Sequence, residues 1–439
     1  VMGKAMLSQT LLGRSGRGPA LVDTHLPRKG RSAGSAGVTT LLAERGAKPA
    51  ELEFALRDDE SVAGRFGWRK LTNVERVCVA FATSTLAAGC RVAGVAPKGL
   101  LRQVAAFLGL VVVAVFGTRQ VRCRPRLQAP HKILPRKGSS IATLAGLKVH
   151  CVTEDPPSSS EAADSSQRRV ACCFHGFGAS ALSWAPTLPA LSEKLQAKVV
   201  AFDQPGFGLT ERPPLEINEK SLESSPYLCG RSASIAKDIV GEGSDEVILM
   251  GHSLGAIGAA LAAVALAESG GRRVKLVLVG PAFSAGGAVA PLPRCSLWRL
   301  RLISLVLPAF LRQAVYSRKF WEQGLAVANG GTEPDWRIVM DYRWPSLAED
   351  WDKGLTRFVV SRLYGTLEEE GLAPKVKQAC EAHGLRVLVV SGDGDKVVPA
   401  SNSKALANAI GAEYAEVPGC GHMPHEEKPV EFAHLVEQF

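Results

Sequence analysis

Between residues 245 and 267 the chain passes in one step from an apolar strand to an alanine-rich helix. Val247, Ile248, Leu249 and Met250 read as a buried strand that runs directly into Gly251-His252-Ser253-Leu254-Gly255, and small residues continue to Ala267. A strand, a turn and a helix joined this tightly leave no room for Cβ atoms where the backbones meet, so Gly251 and Gly255 belong at the crossing. Ser253 is then pushed out at the end of the sheet. The helix begins beside it, and the N–H of Leu254 points to where a carbonyl oxygen would gather negative charge. Such a serine is a candidate nucleophile. At its free pKa it is a weak one, and it needs a base and an orienting acid.

Both residue types follow later in the chain. An apolar strand over 386–391 ends in Gly392-Asp393-Gly394-Asp395-Lys396-Val397-Val398-Pro399, which puts Asp393 and Asp395 in a loop at a strand end. The strand over 412–417 ends in Pro418-Gly419-Cys420-Gly421-His422-Met423-Pro424-His425, which offers His422 and His425. Gly392-x-x-Asp395-x-x-x-Pro399 and Gly421-His422-x-Pro424-x-x-Glu427-x-Pro429 resemble the acid and histidine loops of the α/β-hydrolase family. The resemblance selects Asp395 and His422, in the order Ser, Asp, His that the fold uses. It leaves Asp393 and His425 as residues that cap or support those loops.

The same resemblance implies an α/β-hydrolase fold: a mostly parallel central sheet flanked by helices, with a helical cap inserted after the sixth strand. His175-Gly176-Phe177-Gly178-Ala179-Ser180, after a buried strand at 169–174, is similar to the family's oxyanion loop. By that match the backbone N–H of Phe177 joins that of Leu254 around the oxyanion, each contributing on the order of 3–4 kcal/mol. No side-chain substitution removes a backbone donor. Asp203-Gln204-Pro205-Gly206-Phe207-Gly208-Leu209-Thr210 resembles the family's Asp-x-x-Gly-x-Gly-x-Ser loop, and Asp203 is expected to cap it. A serine in the elbow argues against epoxide hydrolase or dehalogenase chemistry, for which the family uses aspartate there.

The resemblance extends over 141–439. A hairpin is expected at 141–153, a surface loop at 155–167, strands at 198–202 and 274–279, and a helix at 232–240. From 281 to 379 the strand-helix alternation stops, and helices are expected at 297–310, 317–328, 335–342 and 351–364. Five of the seven tryptophans (Trp298, Trp321, Trp336, Trp344, Trp351) fall in this cap region, which suggests an apolar substrate under it. The stripe at 297–310, with Arg294, Arg299, Arg301 and Arg312, has the composition of a membrane-surface helix.

The first 140 residues are different in kind. Residues 1–153 carry 24 Lys+Arg against 8 Asp+Glu, a balance of +16, and the rest carries 28 against 34, or −6, which together give the formal +10. Residues 1–60 are expected to be a plastid transit peptide, with mitochondrial targeting as the alternative, because the first 50 hold eight basic residues and only Asp23 and Glu44 as acids. Residues 61–140 read as a basic linker. Within it, 100–117 is an apolar segment with Arg102 and Gln103 near its start, short for a bilayer span and a candidate membrane anchor or membrane-lying helix. Arg119, Arg122, Arg124, Arg126, Lys132, Arg136 and Lys137 follow it and would attract anionic lipid heads. The ten cysteines show no C-x-x-C pair, so thiols are expected rather than disulfides or a zinc site. No phosphate cradle or metal cluster is visible, so no cofactor is expected. Basic residues are not interleaved with aromatics on any face of the C-terminal part, and nucleic acid is not an expected partner.

Three stretches, 201–210, 351–355 and 422–429, look most like plant and algal plastid hydrolases of unassigned substrate. The reaction expected is cleavage of an ester or similar carbonyl compound, apolar or lipid-like, through an acyl-Ser253 intermediate. Alternatives on the same residues are a carbon-carbon bond hydrolase, an acyltransferase, or a ligand receptor without turnover.

Overall fold

A computed structural model describes residues 127–157, 168–288, 295–315, 317–365 and 368–439. The expected transit peptide, the apolar segment 100–117, the first four arginines of the basic block and Arg294 lie outside these residues. Residues 127–304 and 319–439 form one unit, and 305–318 belong to a second.

Eight strands make one sheet: β1 (Ser139–Leu144), β2 (Leu147–Glu154), β3 (Arg169–Phe174), β4 (Lys198–Phe202), β5 (Glu246–His252), β6 (Arg273–Val279), β7 (Arg386–Gly392) and β8 (Glu413–Val417). Their spatial order is β1-β2-β4-β3-β5-β6-β7-β8, antiparallel at β1/β2 and β2/β4 and parallel elsewhere. Ala145 and Gly146 close the first hairpin, both at positive φ (49° and 75°), the twist that a two-residue hairpin turn requires. In the parallel part, Phe174 pairs with Gly251 and His252 with Val279, so the strand ends lie level. The loops leaving those carboxyl ends converge, which is where open α/β sheets build sites.

Helices α1 (Leu188–Leu195), α2 (Cys229–Val240) and α3 (Gly255–Ser269) cover the sheet. All seven residues of β5 are buried, and α3 is apolar on nearly every side. An alanine-rich helix suits this place, because small side chains let it approach the sheet while α2 packs on it from outside. The core there is continuous from Val149 and Leu249 through Ala259 to Val389. Truncating Leu249 to alanine in such packing costs about 2–5 kcal/mol.

Between β6 and β7 run α4 (Leu297–Val315), α5 (Arg318–Ala328), α6 (Trp336–Arg343) and α7 (Trp351–Tyr364). Asp335 caps α6 by accepting the Arg337 N–H at 2.8 Å. Trp298 and Leu305 stand exposed on α4. Among the described residues, no helix is long and apolar enough to cross a membrane.

Two boundaries differ from the sequence reading. The next helix, α8 (Leu372–His383), starts inside the expected cap span of 281–379 yet flanks the sheet, with Leu372, Ala373, Val376 and Ala379 in the core beside α3. Its apolar residues recur at helical spacing, so it needs a core to bury them, and the roof ends near Tyr364. The end of the expected linker also packs on the cap. Gln128 N–H donates to Leu347 O at 3.0 Å, Gln128 O accepts from Glu349 N–H at 2.9 Å, and Trp344 Nε1–H donates to Ile133 O at 2.8 Å. Ahead of α2 lies a short helix, Glu219–Glu223, started by the Asn218 cap. Helices α9 (Ala400–Ile410) and α10 (Pro429–Gln438) complete the fold.

Candidate active site

Ser253 follows β5 with φ of 51°, a left-handed conformation that a serine rarely adopts and that turns its side chain away from the sheet. The conformation is held by its own peptide. Ser253 N–H donates to Val279 O at 2.8 Å, and Ser253 O accepts from Ala282 N–H at 3.0 Å. The two elbow glycines serve different crossings. A Cβ on Gly251 would lie 2.6 Å from Ala256 Cα, strand against helix, whereas one on Gly255 would lie 2.5 Å from the carbonyl oxygens of Phe174 and His175 at the end of β3. The second crossing brings the loop after β3 against the elbow.

That loop is His175 to Ser180, and a Cβ on Gly176 would lie 3.3 Å from Ser253 Cβ. Its shape is set by buried hydrogen bonds. His175 Nδ1–H donates to Gly176 O at 2.8 Å, His175 Nε2 accepts from Gln204 N–H at 3.0 Å, and Gln204 Nε2–H donates back to His175 O at 2.6 Å. Burial pushes the His175 imidazole below its usual range, which keeps Nε2 an acceptor. Among the described residues neither the Phe177 nor the Leu254 N–H has a protein acceptor. Both are free to meet a ligand oxygen.

Asp203 holds the neighbouring loop, as its motif suggested. Oδ1 accepts from Ala181 N–H at 2.6 Å, and Oδ2 accepts from Leu209 N–H at 2.6 Å and from His150 Nδ1 at 2.7 Å. Burial alone would push this carboxyl up, but His150 and the amide donors hold it at about 2. Thr210 does the work of the motif's serine, donating to Asp203 O at 2.7 Å and accepting from His150 N–H at 3.1 Å.

The acid and histidine loops cross at bare glycines. A Cβ on Gly392 would overlap the carbonyl oxygens of Cys420 and Gly421, and one on Gly421 would overlap Ala328 O at the end of α5. The crossing brings Asp395 Oδ2 within 2.7 Å of His422 Nδ1. Asp395 Oδ1 accepts from the Val397 and Val398 N–H groups, each at 2.8 Å, so the carboxylate is locked with one oxygen toward the ring. With Nδ1–H donating to a carboxylate, the neutral ring leaves Nε2 as an acceptor, and this buried nitrogen has no partner among the described residues. The Ser253 hydroxyl is therefore not closed onto it here. The backbone of His422 is clamped as well: its N–H donates to Ala328 O at 2.6 Å, and its carbonyl accepts from His252 Nε2 at 3.0 Å.

The supporting residues were in part legible, Asp393 and His425 as loop supports, and His252 escaped the sequence reading. Glu427 accepts the Gly421 N–H at 3.0 Å and the Met423 N–H at 3.1 Å and so shapes the histidine loop. Asp393 accepts from Cys420 N–H at 3.1 Å. The buried His425 ring packs 4.1 Å from Trp184 and 4.6 Å from His252. Glu427 was visible as a fixed letter of the motif. His252 occupies one of its variable positions, and nothing local marked it.

Cap residues reach the oxyanion loop from two sides. The Trp321 ring edge lies 3.9 Å from where a Cβ on Gly178 would be, and Phe358 lies 6.0 Å from the Phe177 ring and 4.7 Å from Phe207. Phe177 is 40% exposed, an apolar face left open beside the N–H groups. Of the five cap tryptophans, Trp321, Trp344 and Trp351 are buried, Trp336 is half-buried and Trp298 is exposed, and Trp321 is the one whose ring reaches the oxyanion loop. Among the described residues, no group of three or more His, Cys, Asp or Glu is placed to hold a metal ion, and the seven cysteines are free thiols.

Similar solved structures include a serine hydrolase involved in carbazole degradation, the CarC enzyme, at 18% identity, covering 68% of this chain and 97% of that one with a TM-score of 0.48. The epoxide hydrolase CorEH matches at 19% identity over 69% of this chain and 97% of its own, with a TM-score of 0.47. The esterase RhEst1 from a Rhodococcus species matches at 18% over 69% and 98%, with a TM-score of 0.45. A model of the Alpha/beta hydrolase family matches residues 173–435, from the end of β3 through the histidine loop and into α10. That match covers well over half of the chain and all the loops described above, and with the mostly parallel eight-stranded sheet it shows that the chain belongs to the alpha/beta hydrolase family.

Proposed function

We propose that this chain is a serine hydrolase that cleaves an apolar ester or similar carbonyl substrate, with Ser253 as nucleophile, His422 as base and Asp395 as the acid that orients it. The observation that carries the reading is the buried His422–Asp395 pair with an unpartnered Nε2, in a fold that also holds Ser253 in a left-handed turn against Gly176. In the reaction, His422 Nε2 takes the hydroxyl proton as Ser253 Oγ bonds to the carbonyl carbon, and the Phe177 and Leu254 N–H groups receive the oxyanion. Closure of Oγ onto Nε2 accompanies substrate binding, since such contacts often tighten only in the complex. His422 then protonates the leaving group. A water molecule deprotonated by the same nitrogen attacks the acyl carbon, the acid departs, and Ser253 regains its proton.

The open Phe177 face and the nearby Phe207 and Phe358 support an apolar group next to the carbonyl. The basic, acid-poor leader supports a plastid address, as does the likeness of 201–210, 351–355 and 422–429 to plastid hydrolases. The segment 100–117 with its basic flank supports attachment to a membrane, which fits a lipid-like substrate. The test is fluorophosphonate labelling of the full chain and of Ser253→Ala, alongside turnover of short- and long-chain nitrophenyl esters. Labelling abolished by the substitution, with repeated turnover, is the expected result. A folded wild type that resists labelling overturns the reading and moves a receptor role forward.

A further inference from the structure

On the basis of that reading, we propose that His252 is a positioning residue that sets the separation of nucleophile, base and oxyanion loop. It ends β5 immediately before Ser253, so the turn that presents the hydroxyl also carries this imidazole. The ring is buried and reaches the histidine loop, where Nε2 lies 3.0 Å from His422 O. A carbonyl only accepts, so the proton sits on Nε2 and Nδ1 is bare. Nδ1 has no partner among the described residues and faces the oxyanion loop: a Cβ on Gly176 would lie 2.8 Å from it. The ring therefore fills the space that Gly176 leaves open. One side chain touches the loop that bears the Phe177 N–H and the loop that bears the base, while its own backbone carries the serine.

The other tethers of His422 start elsewhere. Asp395 orients its ring from the end of β7, and Ala328 O holds its N–H from the cap. Among the described hydrogen bonds, the one from His252 is the tether that runs from the serine's own turn to the base. His425 packs tilted against the His252 ring at 4.6 Å, with Trp184 at 4.1 Å from His425, so the buried His252 is held among rings. Burial holds His252 well below the usual imidazole range and His425 at about 3, so at neutral pH the His252 ring keeps a single N–H and the bond keeps one direction. The His252 and His422 rings lie 4.7 Å apart, close enough that a displaced His252 would displace the base with it.

The test compares His252→Gln, His252→Asn and His252→Phe in the full chain. A glutamine amide nitrogen superposes on Nε2 and can still donate to His422 O; an asparagine nitrogen falls at the Nδ1 position and cannot; phenylalanine keeps the ring without a donor. Fluorophosphonate labelling rates and ester kinetics are read for each variant, after its circular dichroism matches wild type. Because a displacement near 1 Å between reacting groups costs about 100-fold, Asn and Phe are expected to lose about 10- to 100-fold in kcat and in labelling rate. KM should stay within about twofold, and Gln should recover to within about threefold of wild type. Either of the two disabled variants suffices if the other fails to fold. Wild-type labelling with a folded Asn or Phe variant of unchanged kcat overturns the positioning role alone, as does an equal loss in Gln. An unlabelled wild type overturns the serine-hydrolase reading and the positioning role together.

Discussion

Glu426→Gln should make the protein more stable at alkaline pH, by an amount that follows from where the carboxyl lies. Glu426 sits four residues after His422 in the histidine loop and is only 6% exposed. Burial pushes its carboxyl up from 4.5 to about 8; the Tyr342 hydrogen bond opposes the rise, and the charges of Asp341 and Glu427 add to it. Tyr342, on cap helix α6, donates its O–H to Glu426 Oε1 at 2.7 Å, and His425 Nε2 lies 3.7 Å from the same oxygen. Burial holds His425 at about 3, so it brings no charge into the window that matters. A carboxyl raised in the folded state contributes its full stability below pH 4.5, where both states are protonated. That stability is lost as pH rises through about 8, because the unfolded chain releases the proton first. The slope between those limits is about 1.4 kcal/mol per pH unit, and the full loss approaches roughly 5 kcal/mol. Glutamine has nearly the same shape, accepts the Tyr342 O–H through its own Oε1 and does not titrate. Urea unfolding of wild type and variant at half-unit steps from pH 5 to 9 is the assay. The gap between the two should widen in favour of the variant up to about pH 8 and then level off. Parallel stability curves would refute the claim that this carboxyl is neutral in the folded protein.

Three further outcomes are expected. Asp395→Asn should lower kcat by about 10⁴-fold with little change in KM, because an amide facing Nδ1 puts the ring proton on Nε2 and leaves no acceptor for the serine; steady-state ester kinetics test it. Gly280→Ala introduces a Cβ at φ of 49°, 3.0 Å from His422 Cε1 and Nδ1 and 3.3 Å from Asp395 Oδ2, and should both slow labelling and lower thermal stability. The left-handed backbone by itself accounts for about 1 kcal/mol of that loss. Asp203→Asn should cost about 3–5 kcal/mol at pH 7, since the carboxylate faces His150 and two amides in the interior. The sign with pH is opposite to that of Glu426. A depressed carboxyl stabilises above pH 3.8 and loses its effect as pH falls through about 2, so the gap between the acid unfolding curves of wild type and variant should narrow by about 2.5 kcal/mol over that range.

Much of the architecture was legible in short windows of sequence. Period-two and unbroken apolar runs marked β3 to β8, and helical spacing marked α5, α6 and α7, because each of these patterns repeats within a dozen residues. The glycines at 251, 255, 392 and 421 announced tight crossings, since only a missing side chain allows two backbones to come so close. The motif loops likewise singled out Asp395 and His422, which the fold brings to 2.7 Å. What the windows could not contain is contact between distant segments. His252 and His422 are 170 positions apart, and Tyr342 and Glu426 are 84 apart, so neither hydrogen bond has a local signature. The packing of α8 beside α3 and of the residues before Ile141 on the cap had no local signature for the same reason: an apolar stripe says that a surface must be buried, and only the packed structure decides against what. The sequence by itself therefore determined the sheet, the elbow and the candidate acid and base. The tertiary structure decided which rings back the base, which cap side chains reach the oxyanion loop, and how many separate elements hold His422 in place.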